Sequence, residues 1–133
     1  MVPVTAHPSS IPSEYKSQYT AYEENGSGVP VIDAGSMRTF FEAVDADYND
    51  EKTFVTLSKD LGKFPKTYIA TCEKDPLRDD GRVLETMLKK EGVKTKSDHY
   101  EGVPHYFWLM PGIQGGEQFL VNVVKGAQWV LSN

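Results

Sequence analysis

Two short segments of the sequence carry an acidic residue and a histidine that could share a proton. CEKDPLRDDG at 72–81 contains Asp75, and GVPHYFW at 102–108 contains His105. A strand that ends on Asp75 and a later loop that presents His105 can bring a carboxylate against an imidazole, as in a Ser-His-Asp arrangement. None of the nine serines lies in a Gly-x-Ser-x-Gly elbow, and no His-Gly-Gly run offers an oxyanion hole. The sequence therefore predicts the acid and the base of a hydrolytic triad without its nucleophile.

The predicted secondary structure brings both residues to one edge of a sheet. Residues 67–72 are β-branched or apolar and predict a buried strand that ends at the acidic motif. A helix is predicted after Pro76, with acidic residues in its first turn, an apolar face and a stop at Gly92. Residues 93–100 alternate loosely and predict an exposed edge strand, with His105 in the loop that follows. Because ligands bind at the carboxyl ends of parallel strands, we expect a site there.

Two further helices are predicted from the spacing of apolar residues. One begins at Ser36 as its N-cap and places apolar residues at Met37, Phe40, Phe41 and Val44. The last begins at about Glu117 and is expected to bury one side, made of Phe119, Leu120, Val123, Val124, Ala127 and Leu131. Residues 2–5 indicate a short strand, and residues 7–35 indicate an irregular surface excursion. Strands that alternate with helices predict the α/β class.

Composition excludes several classes of protein. The 133 residues, 39% hydrophobic and 25% charged, predict one globular domain. A net charge of −5 with scattered basic residues argues against nucleic acid as a partner. The single cysteine, Cys72, excludes a disulfide framework, favours an intracellular setting and is expected to be a small buried hydrophobe. No signal peptide or membrane span is evident, so the expected location is the cytoplasm.

Other polar residues have plainer interpretations. His7, His99 and His105 lack the spacing of a zinc site, and the sequence contains no cofactor motif. His99 is expected to be a solvated residue on its strand. Arg78 is expected to be a structural ion-pair partner and not a substrate clamp, because carboxylates surround it in the sequence. Asp75 has a competing interpretation as an ordinary helix N-cap, a role for which the neighbouring Asp79 and Asp80 compete.

Both motifs together resemble a known family, the α/β-hydrolase fold esterases of the hormone-sensitive-lipase type, particularly the fungal members. The run FPKTYIATCEKDPLRDD at 64–80 is similar to the family's penultimate strand and Asp-Pro-Leu-Arg-Asp segment, which makes Asp75 the matching triad acid. GVPHYFW is similar to the family's Gly-x-x-His-x-Phe segment, which makes His105 the matching triad histidine. The order of the motifs, with one helix and one strand between them, also fits.

The resemblance implies a partial α/β-hydrolase fold, with a short, mainly parallel sheet, flanking helices and a lid-like helical segment. Residues 1–133 would form a single carboxyl-terminal domain, in which about 9–54 are the lid-like excursion and 64–133 the strand-helix-strand-helix part. Residues 2–5 would then be the sixth strand of the parent fold. On this interpretation the chain is the carboxyl half of such an enzyme, and its bare strand edge predicts a homo-oligomer or a complementing chain.

Aromatic residues offer candidate contacts for a small apolar ester-like molecule. The candidates are Tyr106, Phe107, Trp108, Phe40 and Phe41. Tyr15, Tyr19 and Tyr22 join Phe40 and Phe41 as residues that either line an acyl pocket, as lid residues of the family do, or belong to the core. For His105 the corresponding alternative is a histidine simply packed beside Tyr106, Phe107 and Trp108.

Three functional hypotheses remain open from the sequence. The first is a carboxylic ester hydrolase of carboxylesterase or lipase type, to which this chain supplies the acid and base while the serine comes from elsewhere. The second is a non-hydrolytic relative that uses Asp75 and His105 for acid/base chemistry, such as an isomerisation or cyclisation. The third is a non-catalytic binding protein that keeps the lid and pocket.

Overall fold

The computed structural model describes residues 4–132, which form a pair of parallel strands flanked by helices. Strand β1 is Thr67–Lys74 and strand β2 is Thr95–Pro104. The α-helices are α1 Ala21–Glu24, α2 Ala34–Ala43, α3 Arg78–Lys90 and α4 Gly116–Leu131. Short 3-10 turns cover Ser13–Gln18, Val55–Leu57, Leu61–Lys63 and Phe107–Leu109. The predicted α/β class, with a short parallel sheet and flanking helices, is confirmed.

The β1-α3-β2 unit is the centre of the fold. β1 is buried from Ile69 to Cys72, and the apolar face of α3 packs against it through Leu84 and Leu88. Such a crossover joins parallel strands, and β1 indeed pairs in parallel with β2. β2 begins two residues later than predicted and runs on to Pro104. Val93 precedes it and packs into the same apolar cluster.

Part of the predicted strand at residues 2–5 lies outside the described residues. Val2 and Pro3 are not described, and Val4 and Thr5 do not belong to a strand. The backbone of Thr5 is bonded instead to side chains and to another loop, because its carbonyl accepts the N–H of Thr56 at 3.1 Å. Among residues 4–132, no helix has the length and apolar character needed to cross a bilayer.

Helix α2 begins earlier than the sequence indicated. Its N-cap is Asp33, whose carboxylate accepts the backbone N–H of Ser36, while the Ser36 hydroxyl accepts the N–H of Asp33. Ser36 therefore completes a capping box from inside the helix and is not the cap itself. Met37 and Phe41 are buried, but Phe40 is 55% exposed and Val44 70% exposed. Only half of the predicted apolar face is covered by the residues described.

The prediction of a broad buried face on α4 is wrong. Phe119 and Gly126 are its buried residues, whereas Leu120, Val124 and Leu131 are exposed. The reason is a close approach at Gly126, where the helix backbone rests directly on the ring of Tyr68 from β1. That contact sets which side of α4 faces the sheet.

The lid-like segment packs onto the rest of the chain through two apolar clusters. In one, Tyr15 and Tyr19 lie with Val83 of α3, so these two tyrosines are core residues. In the other, residues of α2 and the following loop meet Leu77, directly beside the acidic motif. Its buried members are Ile32, Met37, Phe41, Phe54 and Leu77.

Arg78 and Asp79 at the start of α3 fix the beginning of α1. The Asp79 carboxylate accepts the backbone N–H groups of Thr20 and Ala21 at 2.8 and 2.7 Å, while Arg78 pairs with Asp79 and Glu24. Arg78 is thus an ion-pair partner, in agreement with its predicted role. Burial alone would raise the pKa of Asp79, but the Arg78 guanidinium and the two N–H groups outweigh it and lower that pKa.

The Asp80 carboxylate binds residues near the start of the described chain. Its carboxylate accepts the N–H groups of Thr5 and Ala6 at 2.8 and 3.0 Å and the hydroxyl of Tyr19 at 2.5 Å. Asp79 and Asp80 therefore do not cap their own helix, in contrast to the role for which the sequence made them candidates. Burial raises the pKa of Asp80 to about 7, in spite of these three donors.

We expect Gly126→Ala to destabilise the chain. An added Cβ would lie 2.5 Å from Cγ of the Tyr68 ring, so the helix or the strand must move. Overpacking of this kind costs about 1–3 kcal/mol of unfolding free energy, which urea denaturation measures. Gly35→Ala is the matched control, because its Cβ would meet only the Asp33 carboxylate at 3.4 Å. Equal stability of Gly126→Ala and wild type would contradict the close packing of α4 on β1.

We expect Asp80 to make the stability of the wild type fall as the pH rises from about 4 to about 7. In this range the folded chain keeps a proton that the unfolded carboxyl group has lost, since burial raises the folded pKa from 3.8 to about 7. Asp80→Asn removes the titration and keeps the contacts, because an amide oxygen can face Thr5 and Ala6 while its NH₂ donates to Tyr19.

The measurement is the free energy of unfolding of both proteins across this pH range. The wild type should lose stability relative to Asp80→Asn up to about pH 7 and no further above it. Asp45→Asn, at an exposed aspartate with a positive φ that asparagine tolerates, is the control. A difference between wild type and Asp80→Asn that does not change with pH would show that Asp80 is ionised throughout.

Candidate functional site

Asp75 and His105 meet at the carboxyl ends of β1 and β2. His105 Nδ1 lies 2.7 Å from Asp75 Oδ2, and the two residues are 6% and 0% exposed. Asp75 immediately follows β1 and His105 immediately follows β2, and the two strands pair in parallel with a register shift that aligns Lys74 with Pro104, which brings Asp75 and His105 together. With the Nδ1 proton donated to the carboxylate, a neutral imidazole has Nε2 free to accept a proton.

The Asp75 side of this pair is held by several further bonds. Its second carboxylate oxygen accepts the N–H of Leu77 at 2.8 Å, and its carbonyl accepts the N–H of Arg78 at 3.0 Å. The Asn25 amide donates to the carbonyls of Glu73 and Asp75 at 3.2 and 3.3 Å. Asp75 thus both shapes the turn into α3 and orients the imidazole. Asp75 is not the N-cap of α3, because that position is Leu77, although the Asp75 carboxylate binds the Leu77 N–H in the turn before the helix.

The His105 side is held by its neighbours in the loop. The Tyr106 ring stands edge-on to the imidazole with the ring centroids 4.3 Å apart. Tyr106 has a φ of 60°, a left-handed conformation that is uncommon for a bulky residue and that tends to persist where the surroundings fix it. Phe107 follows and is buried, which anchors the loop on its downstream side.

An apolar cleft of about 730 Å³ opens beside His105. Three of the five predicted substrate contacts, Phe40, Phe41 and Tyr106, line it. The other lining residues are Val4, Val31, Ile32, Met37, Val44, Thr53 and Leu77. No sequence signal marks these residues for the cleft, and Val31 is an example. Its φ of 75° is a strained value for a β-branched residue and appears only in the folded backbone.

The remaining aromatic candidates lie elsewhere. Phe107 and Trp108 pack in a cluster with Phe119 of α4, where the Trp108 and Phe119 rings stack 3.9 Å apart. They are not among the residues that line the cleft. Tyr22 packs between the two apolar clusters of the lid-like segment, where it contacts both.

The other histidines and the cysteine lie apart from the Asp75–His105 pair. His7 stacks on Tyr48 at 4.0 Å, and burial lowers its pKa. His99 is exposed on β2, as predicted, and contacts the Thr71 hydroxyl. Cys72 is buried as expected, and burial raises the pKa of its thiol to about 12. Within residues 4–132, no cluster of histidine, cysteine or acidic side chains is arranged to hold a metal ion.

Comparisons with known proteins agree with this architecture. The chain is 50% identical to the versiconal hemiacetal acetate esterase of Dothistroma septosporum over 133 residues, which are 99% of this chain and 40% of that protein. It is 37% identical to the enzyme of the same name from Aspergillus parasiticus, covering 98% of this chain and 42% of that protein. The chain thus spans about 40% of the length of these relatives.

Solved structures give the same result. Vibralactone cyclase superposes with a TM-score of 0.90 at 30% identity, over 97% of this chain and 38% of that protein. The carboxylesterase EstE1, cloned from a metagenomic library, superposes with a TM-score of 0.80 at 22% identity over 99% of this chain and 44% of that protein, which supports the fold alone. A family described as the alpha/beta hydrolase fold matches residues 2–109. The resemblance found in the sequence is confirmed, and the chain belongs to the α/β-hydrolase fold family.

Proposed function

We propose that this chain supplies the acid and the base of a carboxylic ester hydrolase. The observation that carries the proposal is the 2.7 Å contact between His105 Nδ1 and Asp75 Oδ2 at the end of an apolar cleft. The esterase names of the relatives support it. None of the nine serines lies in a nucleophile elbow, so the proposal assigns the nucleophile to a segment other than these 133 residues.

In the proposed mechanism His105 carries one proton in each half of the reaction. As a serine oxygen attacks the ester carbonyl carbon, His105 Nε2 takes the hydroxyl proton, and it then gives that proton to the departing alcohol. In the second half a water molecule attacks the acyl-enzyme, and His105 takes a proton from the water and gives it to the serine oxygen. The acid is released and the serine is restored. Asp75 keeps its charge throughout, and its bond to Nδ1 both fixes the tautomer and stabilises the imidazolium that forms. The bond from Leu77 to the second oxygen of Asp75 keeps the carboxylate turned toward His105.

The cleft favours esters with an uncharged, apolar portion. The side chains that line its described part are mostly apolar, with Thr53, His105 and Tyr106 as the polar ones. A charged group placed among them would lose its hydration without gaining an ionic partner. Phe40 on α2 and Val44 at the C-cap of α2 are both largely exposed and offer apolar surface for such a portion.

A second candidate function uses the same pair without hydrolysis. The superposition with vibralactone cyclase, at a TM-score of 0.90, favours an acid/base reaction such as a cyclisation or isomerisation. A positioned imidazole can contribute about 100-fold to 10,000-fold to such a step. In this case His105 would act directly on the small molecule, and no acyl-enzyme would form.

A chimera tests the first function. In the Dothistroma septosporum esterase, the region that matches this chain would be replaced by this chain, and hydrolysis of an activated aryl acetate would be followed. We expect saturable hydrolysis that falls by about 10,000-fold or more in His105→Ala and by a smaller but still large factor in Asp75→Asn. His99→Ala is the control, because His99 lies on β2 away from the pair.

The outcomes separate the hypotheses. Hydrolysis by the chimera that survives His105→Ala would place the reaction elsewhere and refute the proposal. Conversion of the ester to an isomeric or cyclic product that depends on His105, with no release of acid, would support the second function in its place.

The cleft gives a separate prediction about specificity. In the chimera, Phe40→Ala should raise KM for an aryl ester with a bulky apolar acyl group by about 5-fold to 10-fold, because it removes apolar surface that the bound acyl group would cover. The value of kcat should stay near that of the parent. Leu109→Ala is the matched control, since Leu109 is also a large exposed apolar residue, 71% exposed, but does not line the cleft. Equal KM values for the two variants would show that the substrate does not bind against α2.

A further inference from the structure

The pairing of β1 with β2 is interrupted just before the Asp75–His105 pair. Cys72 pairs with Tyr100, but the next partners are Lys74 and Pro104. One residue of β1, Glu73, therefore stands opposite three residues of β2, 101–103. Extra residues of this kind form a bulge, which bends a strand and re-aims the side chains that follow it. The residue that directly follows the strand here is His105.

The Glu73 side chain closes this bulge. Its Oε2 accepts the backbone N–H of Gly102 at 2.6 Å, and its Oε1 pairs with Lys74 Nζ at 2.7 Å. Gly102 has a φ of 71°, a conformation that glycine adopts without strain. A hydrogen bond to an ionised carboxylate is short and strong, and the Lys74 ammonium together with the Gly102 N–H lowers the pKa of Glu73. Glu73 is therefore ionised at neutral pH and accepts the hydrogen bond from Gly102 as a carboxylate.

We propose that Glu73 is a positioning residue for His105. The backbone of Glu73 leads directly into Lys74 and Asp75, while its side chain holds Gly102, three residues before His105. It therefore links the two segments that carry the pair. Asp75 is fixed independently, by Asn25, Leu77 and the turn into α3. On the upstream side of His105, β2 pairs with β1 again at Pro104, and the bond from the Gly102 N–H to Glu73 restrains the bulged residues 101–103 that precede this pairing.

Loss of the Glu73 carboxylate would change the position of His105 relative to Asp75. Functional side chains must be held to within about 0.5 Å of their productive positions. Without the Glu73 carboxylate the N–H of Gly102 turns to water, and the bulged residues 101–103 gain freedom to move away from β1, which loosens the backbone that leads into His105. The bond between His105 Nδ1 and Asp75 then opens more often. This role in the reaction rests on the proposed function, but the effect on the Asp75–His105 bond does not.

The primary test is nuclear magnetic resonance on the ¹⁵N-labelled chain. The Nδ1 proton of His105, assigned by its absence from His105→Gln, reports the bond to Asp75 through its exchange with water. We expect exchange to become about tenfold faster in Glu73→Ala, the loss expected for one hydrogen bond to a charged group. Glu73→Gln keeps an acceptor for Gly102 and should return most of the protection. Lys74→Ala removes the exposed ion pair alone and is the matched control.

The chimera described above supplies the kinetic counterpart. Glu73→Ala should lower kcat about tenfold at nearly constant KM, with recovery in Glu73→Gln, because the loss lies in orientation and not in substrate binding. If the chimera hydrolyses no ester, the exchange measurement still decides the positioning role, so the two proposals fail separately. Exchange in Glu73→Ala equal to that of the wild type would overturn the inference. Equal acceleration in Glu73→Ala and Lys74→Ala would also overturn it, since surface charge would then be the cause.

Discussion

Parallel pairing of β1 with β2 is the constraint on which the site depends. Because α3 crosses over between the two strands, both strands end at the same edge of the sheet. The first residue after β1 and the first after β2 are then neighbours, and in this chain they are Asp75 and His105. The 2.7 Å contact between them needs no long loop or flexible lid. It needs a register that is correct to one residue, because a slip by one residue turns every side chain to the other face.

The acidic motif does more than supply one carboxylate. Asp75, Asp79 and Asp80 are all buried, and each uses its oxygens on donors from a different part of the chain. Buried polar groups are tolerated when hydrogen bonds satisfy them, and among the residues described no buried side-chain nitrogen or oxygen lacks a partner. The same ten-residue segment therefore orients the imidazole and attaches the lid-like segment to the sheet. A substitution in this segment can therefore affect both the orientation of the imidazole and the attachment of the lid-like segment.

The sequence predicted those features that depend on local pattern. The burial of β1, the start of α3 after Pro76 and its end before Gly92 follow from apolar periodicity and breaker residues, and the two ends of the strands place Asp75 and His105. It could not predict the bulge opposite Glu73, because a register shift is a property of two strands and not of one.

Local sequence patterns also could not predict contacts between segments that are far apart in the chain. The backbone N–H groups that Asp79 and Asp80 bind belong to residues 58 to 75 positions away in the chain. Phe107 and Trp108 were candidate contacts for an apolar substrate on the basis of their aromatic side chains. The short 3-10 turn after Tyr106 directs them toward Phe119 instead.

The anchoring of the lid-like segment has a consequence for how this protein can vary. Asp79 and Asp80 hold the backbone N–H groups of Thr5, Ala6, Thr20 and Ala21. Every amino acid except proline has that N–H, so these four bonds, two to the lid-like segment and two to the residues before it, do not depend on the side chains at those positions. Substitutions in the segment can therefore accumulate and reshape the wall of the cleft, while the attachment to α3 stays the same. The attachment to α3 therefore tolerates different side chains around the cleft beside the Asp75–His105 pair.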